Sequence, residues 1–256
     1  MKEPTVIAVL RDERFSPGAV AQDRDIMDAV VRRCPYPIRV IGEAQLTAAD
    51  VADLYLSMGR LPQTLQLLAD KEASGSRVVN RTKAIASCAR SRIEGIMRTN
   101  GIPMPPLQSD GGYWLKRGDA PTQTAEDIVF CRTEAELAEG RRRFRDRGIT
   151  DVVTSTHVEG DLVKFYCVGD DFFRYYHADA TPSYYGFDAA ALHATALRIA
   201  HLIGIEVYGG DCIVRPDGTF CMIDFNDWPS FSRCRAEAAV AIAELAFPYL
   251  NSQADE

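Results

Sequence analysis

The stretch from Tyr208 to Phe231, Tyr-Gly-Gly-Asp-Cys-Ile-Val-Arg-Pro-Asp-Gly-Thr-Phe-Cys-Met-Ile-Asp-Phe-Asn-Asp-Trp-Pro-Ser-Phe, constrains this chain more than any other. Two β-rich runs, Cys212 to Arg215 and Thr219 to Phe225, flank Pro216-Asp217-Gly218, a strong signal for a tight hairpin. With the turn centred on Asp217-Gly218, Asp211 is expected to face Asp224 and Gly209 to face Asn226. Strand side chains alternate, so Asn226 projects from the same face as Asp224. Opposed carboxylates repel and need a cation or a shared proton between them. Asp211, Asp224 and the Asn226 amide oxygen form an all-oxygen set that suits a hard ion, Mg²⁺ first and Mn²⁺ as the alternative. Gly209 is expected to leave room for that ion and its ligands. The competing reading is a surface hairpin with ordinary turn-side aspartates.

A chain of 256 residues can hold one large domain or several small ones around ample core. Its charged and apolar fractions are those of a soluble globular protein, with no run of transmembrane length and no signal-peptide core after Met-Lys-Glu-Pro. Seven cysteines without a Cys-x-x-Cys pair point to reduced thiols and a cytoplasmic setting rather than a disulfide frame or zinc site. The net charge of −7 argues against nucleic acid as a partner. Neither is a membrane expected; a homodimer is left open. The basic run Arg141 to Arg147 ends a predicted helix before Gly148, where cations complement the helix dipole and glycine caps. A solvated helix end is the expectation there, an anion site the alternative.

Along the chain, strands are expected at Thr5–Leu10, Ile38–Ile41, Asp53–Met58 and Arg77–Val79, with helices from Pro17 to Arg33 and Leu61 to Ala73. Thr47-Ala-Ala-Asp leaves a helix open in place of the third strand. Strands alternating with helices indicate a parallel α/β unit. It carries no Gly-x-Gly-x-x-Gly and no phosphate-loop motif. A helix runs from Asn80-Arg-Thr-Lys83 to Thr99, and Gly101-Ile-Pro-Met-Pro-Pro106 then breaks the chain. Short strands follow at Tyr113–Lys116 and Ile128–Cys131, and Thr133-x-x-Glu136 is a capping box. The run Asp151 to Asp161 is a strand ending in Glu159-Gly-Asp161. Phe172 to His177 is an aromatic strand, Leu192 to Leu202 and Ala236 to Phe247 are helices, and Asn251 to Glu256 is a frayed tail.

Gly-Gly-Asp211, the turn, and Ile223-Asp-Phe-Asn-Asp-Trp-Pro229 resemble the last metal-binding strands of ATP-grasp enzymes. The order of strand, Asn80, Lys83, helix and Gly-Ile-Pro-x-Pro resembles their entry into the nucleotide-binding lobes. The resemblance covers most of Asn80 to Phe247. It implies an α/β fold, α+β in its C-terminal lobes: an N-terminal parallel α/β domain (1–104), a central lobe (105–158) and a C-terminal lobe with the hairpin (159–256). It also implies ATP and Mg²⁺ as cofactors, with Asp211, Asp224 and Asn226 as metal ligands. Lys116 and Lys83 become phosphate contacts, beneath a covering loop at Gly118 to Thr124. Thr156, His157 and Val158 become adenine contacts, and Glu159 or Asp161 the ribose contact. Lys164 and Arg174 are the residues assigned to the chemistry.

What the resemblance implies about activity is phosphorylation of a small-molecule acceptor, a carboxylate then ligated to an amine. The alternatives are a kinase acting on a hydroxyl, in the manner of inositol phosphate kinases, and a non-catalytic nucleotide-binding domain. Asp224-x-Asn226 in place of Glu-x-Asn, Lys164 in place of Arg and Ser230 in place of Gly lean toward the kinase. Against the kinase stands a modest cation supply for a polyphosphate, with Arg81, Arg90 and Arg92 the best candidates. Base rates favour the ligase.

Overall fold

The computed structural model describes residues 3–108, 110–119, 122–178 and 182–250. The expected frayed tail, Asn251 to Glu256, lies outside them, as does part of the Gly118–Thr124 loop. The N-terminal unit is a parallel sheet of β1 (Val6–Leu10), β2 (Ile38–Gly42), β3 (Leu54–Ser57) and β4 (Arg77–Val79), in the order β2-β1-β3-β4. The apolar runs of β1 and β3 are buried on both faces, as central parallel strands must be, while β2 exposes Arg39 at the edge. Helix α1 (Val20–Val31) buries Ile26, Met27, Ala29 and Val30, and α2 (Pro62–Ala73) opens on Pro62, whose missing N–H costs nothing there. The helix left open at Thr47-Ala-Ala-Asp does not form. Asp50 instead accepts from Thr47 N and Oγ1, both at 2.7 Å, which closes a turn.

The single helix expected from Asn80 to Thr99 is two, α3 (Thr82–Ser87) and α4 (Arg90–Thr99), because Ala89 is extended at ψ 129. Asn80 is a buried clip. Its Nδ2 donates to Val207 O at 2.7 Å, and its Oδ1 accepts from the Glu206 and Val207 amides. The central sheet, ordered β6-β5-β7, is antiparallel: β5 (Tyr113–Arg117), β6 (Ile128–Cys131) and β7 (Val152–Thr156). Helix α5 (Glu134–Asp146), capped by Thr133 Oγ1, packs Leu137 and Phe144 against one face. Its basic end is only partly solvated, since Arg147 pairs with the buried Asp127.

The second antiparallel sheet runs β11-β10-β8-β9: β8 (Asp161–Val168), β9 (Phe172–His177), β10 (Val207–Val214) and β11 (Phe220–Asp227). Met222 N donates to Pro103 O, so the proline-rich stretch covers part of the β11 edge. Helix α6 (Ala189–Ile203), capped by Asp188 and ended by Gly204 at φ 73, packs on one face of this sheet. The other face meets Trp228, Phe231 and helix α7 (Arg235–Ala246). These last residues share one core with Val6, Ala8, Leu54 and Leu56 of the N-terminal sheet. Among the described residues no helix is long and apolar enough to cross a membrane.

Candidate active site

The β10–β11 ladder places Asp211 opposite Asp224 and Gly209 opposite Asn226. Two departures from the simplest hairpin cancel to give this register. The turn holds three residues, with Arg215 N bonded to Thr219 O, so pairs near it are offset by one. A bulge between Asp211 and Cys212 then leaves Ile223 unpaired and restores the alignment. The bulge also frees the Ile223 carbonyl, which accepts from Lys116 Nζ at 3.3 Å. Gly209 lines the cavity that Asp211, Asp224 and Asn226 also line, and a Cβ there would lie 2.7 Å from Phe165 O and 3.0 Å from Pro229 Cγ. Its lack of a side chain serves the packing of Pro229.

Each carboxylate is matched by cations of the chain. Lys164 Nζ lies 2.9 and 3.1 Å from the two Asp211 oxygens. Burial pushes the Asp211 carboxyl up, Lys164 only partly offsets it, and the facing Asp224 adds to it, so the group stays above its ordinary value. Burial would lower Lys164, but Asp211 outweighs it and the ammonium is raised. At Asp224 burial acts upward and is outweighed by Arg90, Lys116 and a hydrogen bond from Asn226; the carboxyl is lowered. Lys116 is lowered, first by burial and then by Arg90, with Asp224 opposing. Arg90 Nη2 stands 3.8 Å from Asp224 Oδ2, and its guanidinium also reaches Arg117 O.

Three cavities meet at Asp224. One of about 180 Å³ is walled by Arg60, Cys88, Arg90 and Asn226, and one of about 420 Å³ by Lys164, Tyr176, Ser230 and Arg233. A narrow one of about 20 Å³ lies among Arg90, Met97, Lys116, Val153 and Met222. Among the described residues no cluster of three or more His, Cys, Asp or Glu side chains is placed to hold a metal. The hairpin set is two carboxylates and an amide oxygen, all hard donors, and their chemistry fits Mg²⁺.

The structure brings Lys116, Lys164, Asp211, Asp224 and Asn226 together and leaves other expected residues apart. Lys83 is exposed on α3 and lines none of the three cavities. Arg90, first residue of α4, stands at the hairpin instead. Arg174 pairs with Glu237 of α7, away from the carboxylates. At the β7–β8 connection, Thr156 Oγ1 donates to Pro106 O, and His157 Nδ1 accepts from Trp114 Nε1 at 3.1 Å while Nε2 faces Glu159. Val158 is half-buried and Glu159 exposed. The Asp161 carboxylate, 5% exposed, accepts from the Ser183 and Tyr185 amides at 2.8 and 3.1 Å. It is therefore occupied within the protein. Sequence reasoning missed the role of the helix break and of Arg60, whose partner Asp227 is distant in sequence.

No protein-family model matches the chain, and no curated protein matches it. Solved structures do. The D-alanine–D-alanine ligase from Coxiella burnetii superposes with a TM-score of 0.72 at 14% identity, over 98% of this chain and 97% of that one. The RimK domain protein ATP-grasp from Sphaerobacter thermophilus DSM 20745 gives 0.70 at 18% identity, over 94% and 99%. The ATP-grasp ligase PsnB, in complex with a phosphomimetic variant of its minimal precursor, Mg and ADP, gives 0.62 at 13% identity, over 95% and 99%. Likeness at such identities defines the fold. This chain has the ATP-grasp fold, with a parallel sheet and two antiparallel sheets in the expected order.

Proposed function

We propose that this chain binds Mg-ATP and uses it to activate a carboxylate for attack by an amine. The observation that carries the reading is the meeting of Asp211, Asp224 and Asn226 with Lys116, Arg90 and Lys164 where three cavities converge. The similar structures named above as ligases lend the reaction class. A divalent cation at Asp211, Asp224 and Asn226 would neutralise phosphate charge during transfer. Arg90 offers a planar fork of donors to phosphate oxygens, and Lys116 a point charge once it leaves the Ile223 carbonyl. The base would be met by the backbone of Thr156 to Val158, because the Thr156 and His157 side chains already have partners. Glu159 is the ribose candidate, since Asp161 is occupied.

In this reading the acceptor carboxylate lies beside Lys164. Its oxygen attacks the γ-phosphorus and ADP leaves; the amine nitrogen then attacks the acyl carbon and phosphate leaves. Lys164 stabilises the oxyanion formed in that second attack. The test supplies γ-labelled ATP, Mg²⁺, a mixture of small carboxylic acids and polyols, and hydroxylamine as the amine. Label should appear in inorganic phosphate together with a hydroxamate, and Asp224→Asn should abolish both. Label kept in a stable hydroxyl ester would make the chain a kinase. Tight Mg-ADP binding with no turnover would make it a nucleotide-binding domain.

A further inference from the structure

The largest cavity at Asp224, about 420 Å³, has the volume of a small-metabolite site. One wall is the segment after β11, fixed by two fully buried aromatic residues in the left-handed region, Trp228 at φ 37 and Phe231 at φ 49. Between and beyond these anchors, Ser230, Ser232 and Arg233 line the cavity. Arg233 is braced by the end of β9. Its Nη1 donates to His177 O at 3.2 Å, its guanidinium carbon lies 5.6 Å from the Tyr176 ring centre, and the Tyr176 hydroxyl reaches its backbone carbonyl at 3.4 Å.

Three of the cations around Asp224 already have carboxylate partners, and Lys116 donates to the Ile223 carbonyl. Lys164 has Asp211, Arg90 has Asp224 and Arg60 has Asp227. Arg233 has no carboxylate partner among the described residues. A braced guanidinium with unused donors is prepared for a planar anion. Resting on the reading above, which puts the reacting carboxylate beside Lys164, we infer that the acceptor carries a second anionic group, held by Arg233. The acceptor class is then a small dianionic acid, one charge at Lys164 and the other at Arg233, in the cavity that Ser230 and Ser232 also line.

The experiment reads binding, so it does not depend on finding the reaction partner. Protein saturated with Mg and the non-hydrolysable ATP analogue AMPPNP is titrated, by ligand-observed NMR, with succinate, glutarate and L-glutamate. The length-matched butyrate, valerate and L-norvaline, each with one carboxylate in place of two, serve as controls. At least one dianion should bind about tenfold more tightly than its match, the contribution of one charge-assisted contact. Arg233→Gln should reduce that preference to within about twofold, and Arg233→Lys should retain part of it. No binding by any acid, equal binding of matched pairs, or a preference that survives Arg233→Gln would each overturn the inference. Mg-ADP affinity is measured alongside. A protein that fails to bind Mg-ADP sinks the nucleotide reading itself, whereas one that binds it without preferring dianions sinks only the second anion site.

Discussion

At the scale of single residues, the carboxylates of this chain divide by what holds them. Asp161 opens β8, the strand that carries Lys164, yet its oxygens serve the backbone of residues 183–185. Burial acts to raise it, but those amides and the nearby His177 prevail, and the carboxyl sits below its ordinary range. Asp161→Asn keeps the shape and removes the charge, so it should destabilise the protein by about 2 kcal/mol at neutral pH, the worth of hydrogen bonds to a charged acceptor. A depressed folded-state value stabilises above the unfolded one and ceases to as pH falls through it. The gap between the two proteins should therefore hold down to about pH 4, the ordinary aspartate range, and close below it. Urea titrations across that range measure it; a gap that closes near neutrality would contradict the assignment. Arg90 is the opposite case, a residue whose value lies in where its helix begins. Nothing near it reads as a helix break, since Ala89 is neither glycine nor proline.

At the scale of elements, the hairpin is held close by glycine. A Cβ on Gly210 would come within 2.3 Å of Asp224 O and 2.7 Å of a Phe165 ring carbon, so the strands carrying both aspartates would have to part. Gly210→Ala should cost about 1–3 kcal/mol, the usual penalty of overpacking, and weaken Mg-ADP binding with it. Gly186→Ala, with nothing within 4 Å, should change neither. Thermal melts and calorimetric titrations read both effects, and a stable Gly210→Ala protein with unchanged affinity would remove the hairpin geometry from the reading. The hairpin and the parallel unit were legible in the sequence because alternation and turn chemistry are local. The expected facing of Asp211 and Asp224 holds for a reason the sequence did not display: an extra turn residue is offset by the Ile223 bulge. Arg174 was harder to place. Its position on β9 says which face it leaves from, while the partner that claims it, Glu237, sits on a helix 63 residues away.

At the scale of the molecule, the N-terminal sheet and the hairpin are joined by buried charge as well as by the shared core. Arg60, in the connection between β3 and α2, donates to Asp227 through Nε at 3.3 Å and Nη2 at 2.6 Å, and Asp227 is 2% exposed. Beside this pair Arg11 meets Asp23 at 3.1 Å and donates to Trp228 O; burial, with Arg60 nearby, pushes it down to about 10. Glu43 completes the group by accepting from the Arg60 and Leu61 amides, both at 2.7 Å. A buried pair contributes little against an apolar replacement, but removing one member strands the other. Arg60→Ala alone should therefore cost about 3–5 kcal/mol, and Arg60→Ala with Asp227→Ala should recover part of that loss. The pair spans 167 residues and the core beneath it draws on both ends of the chain. Guanidinium unfolding of Arg60→Ala followed by far-ultraviolet dichroism and by tryptophan emission should accordingly give one coincident transition at lower denaturant. Arg60→Ala within 1 kcal/mol of the parent protein, or a double variant less stable than the single, would show that Asp227 finds solvent or another partner once Arg60 is gone, and that the apolar core alone holds the hairpin against the N-terminal sheet.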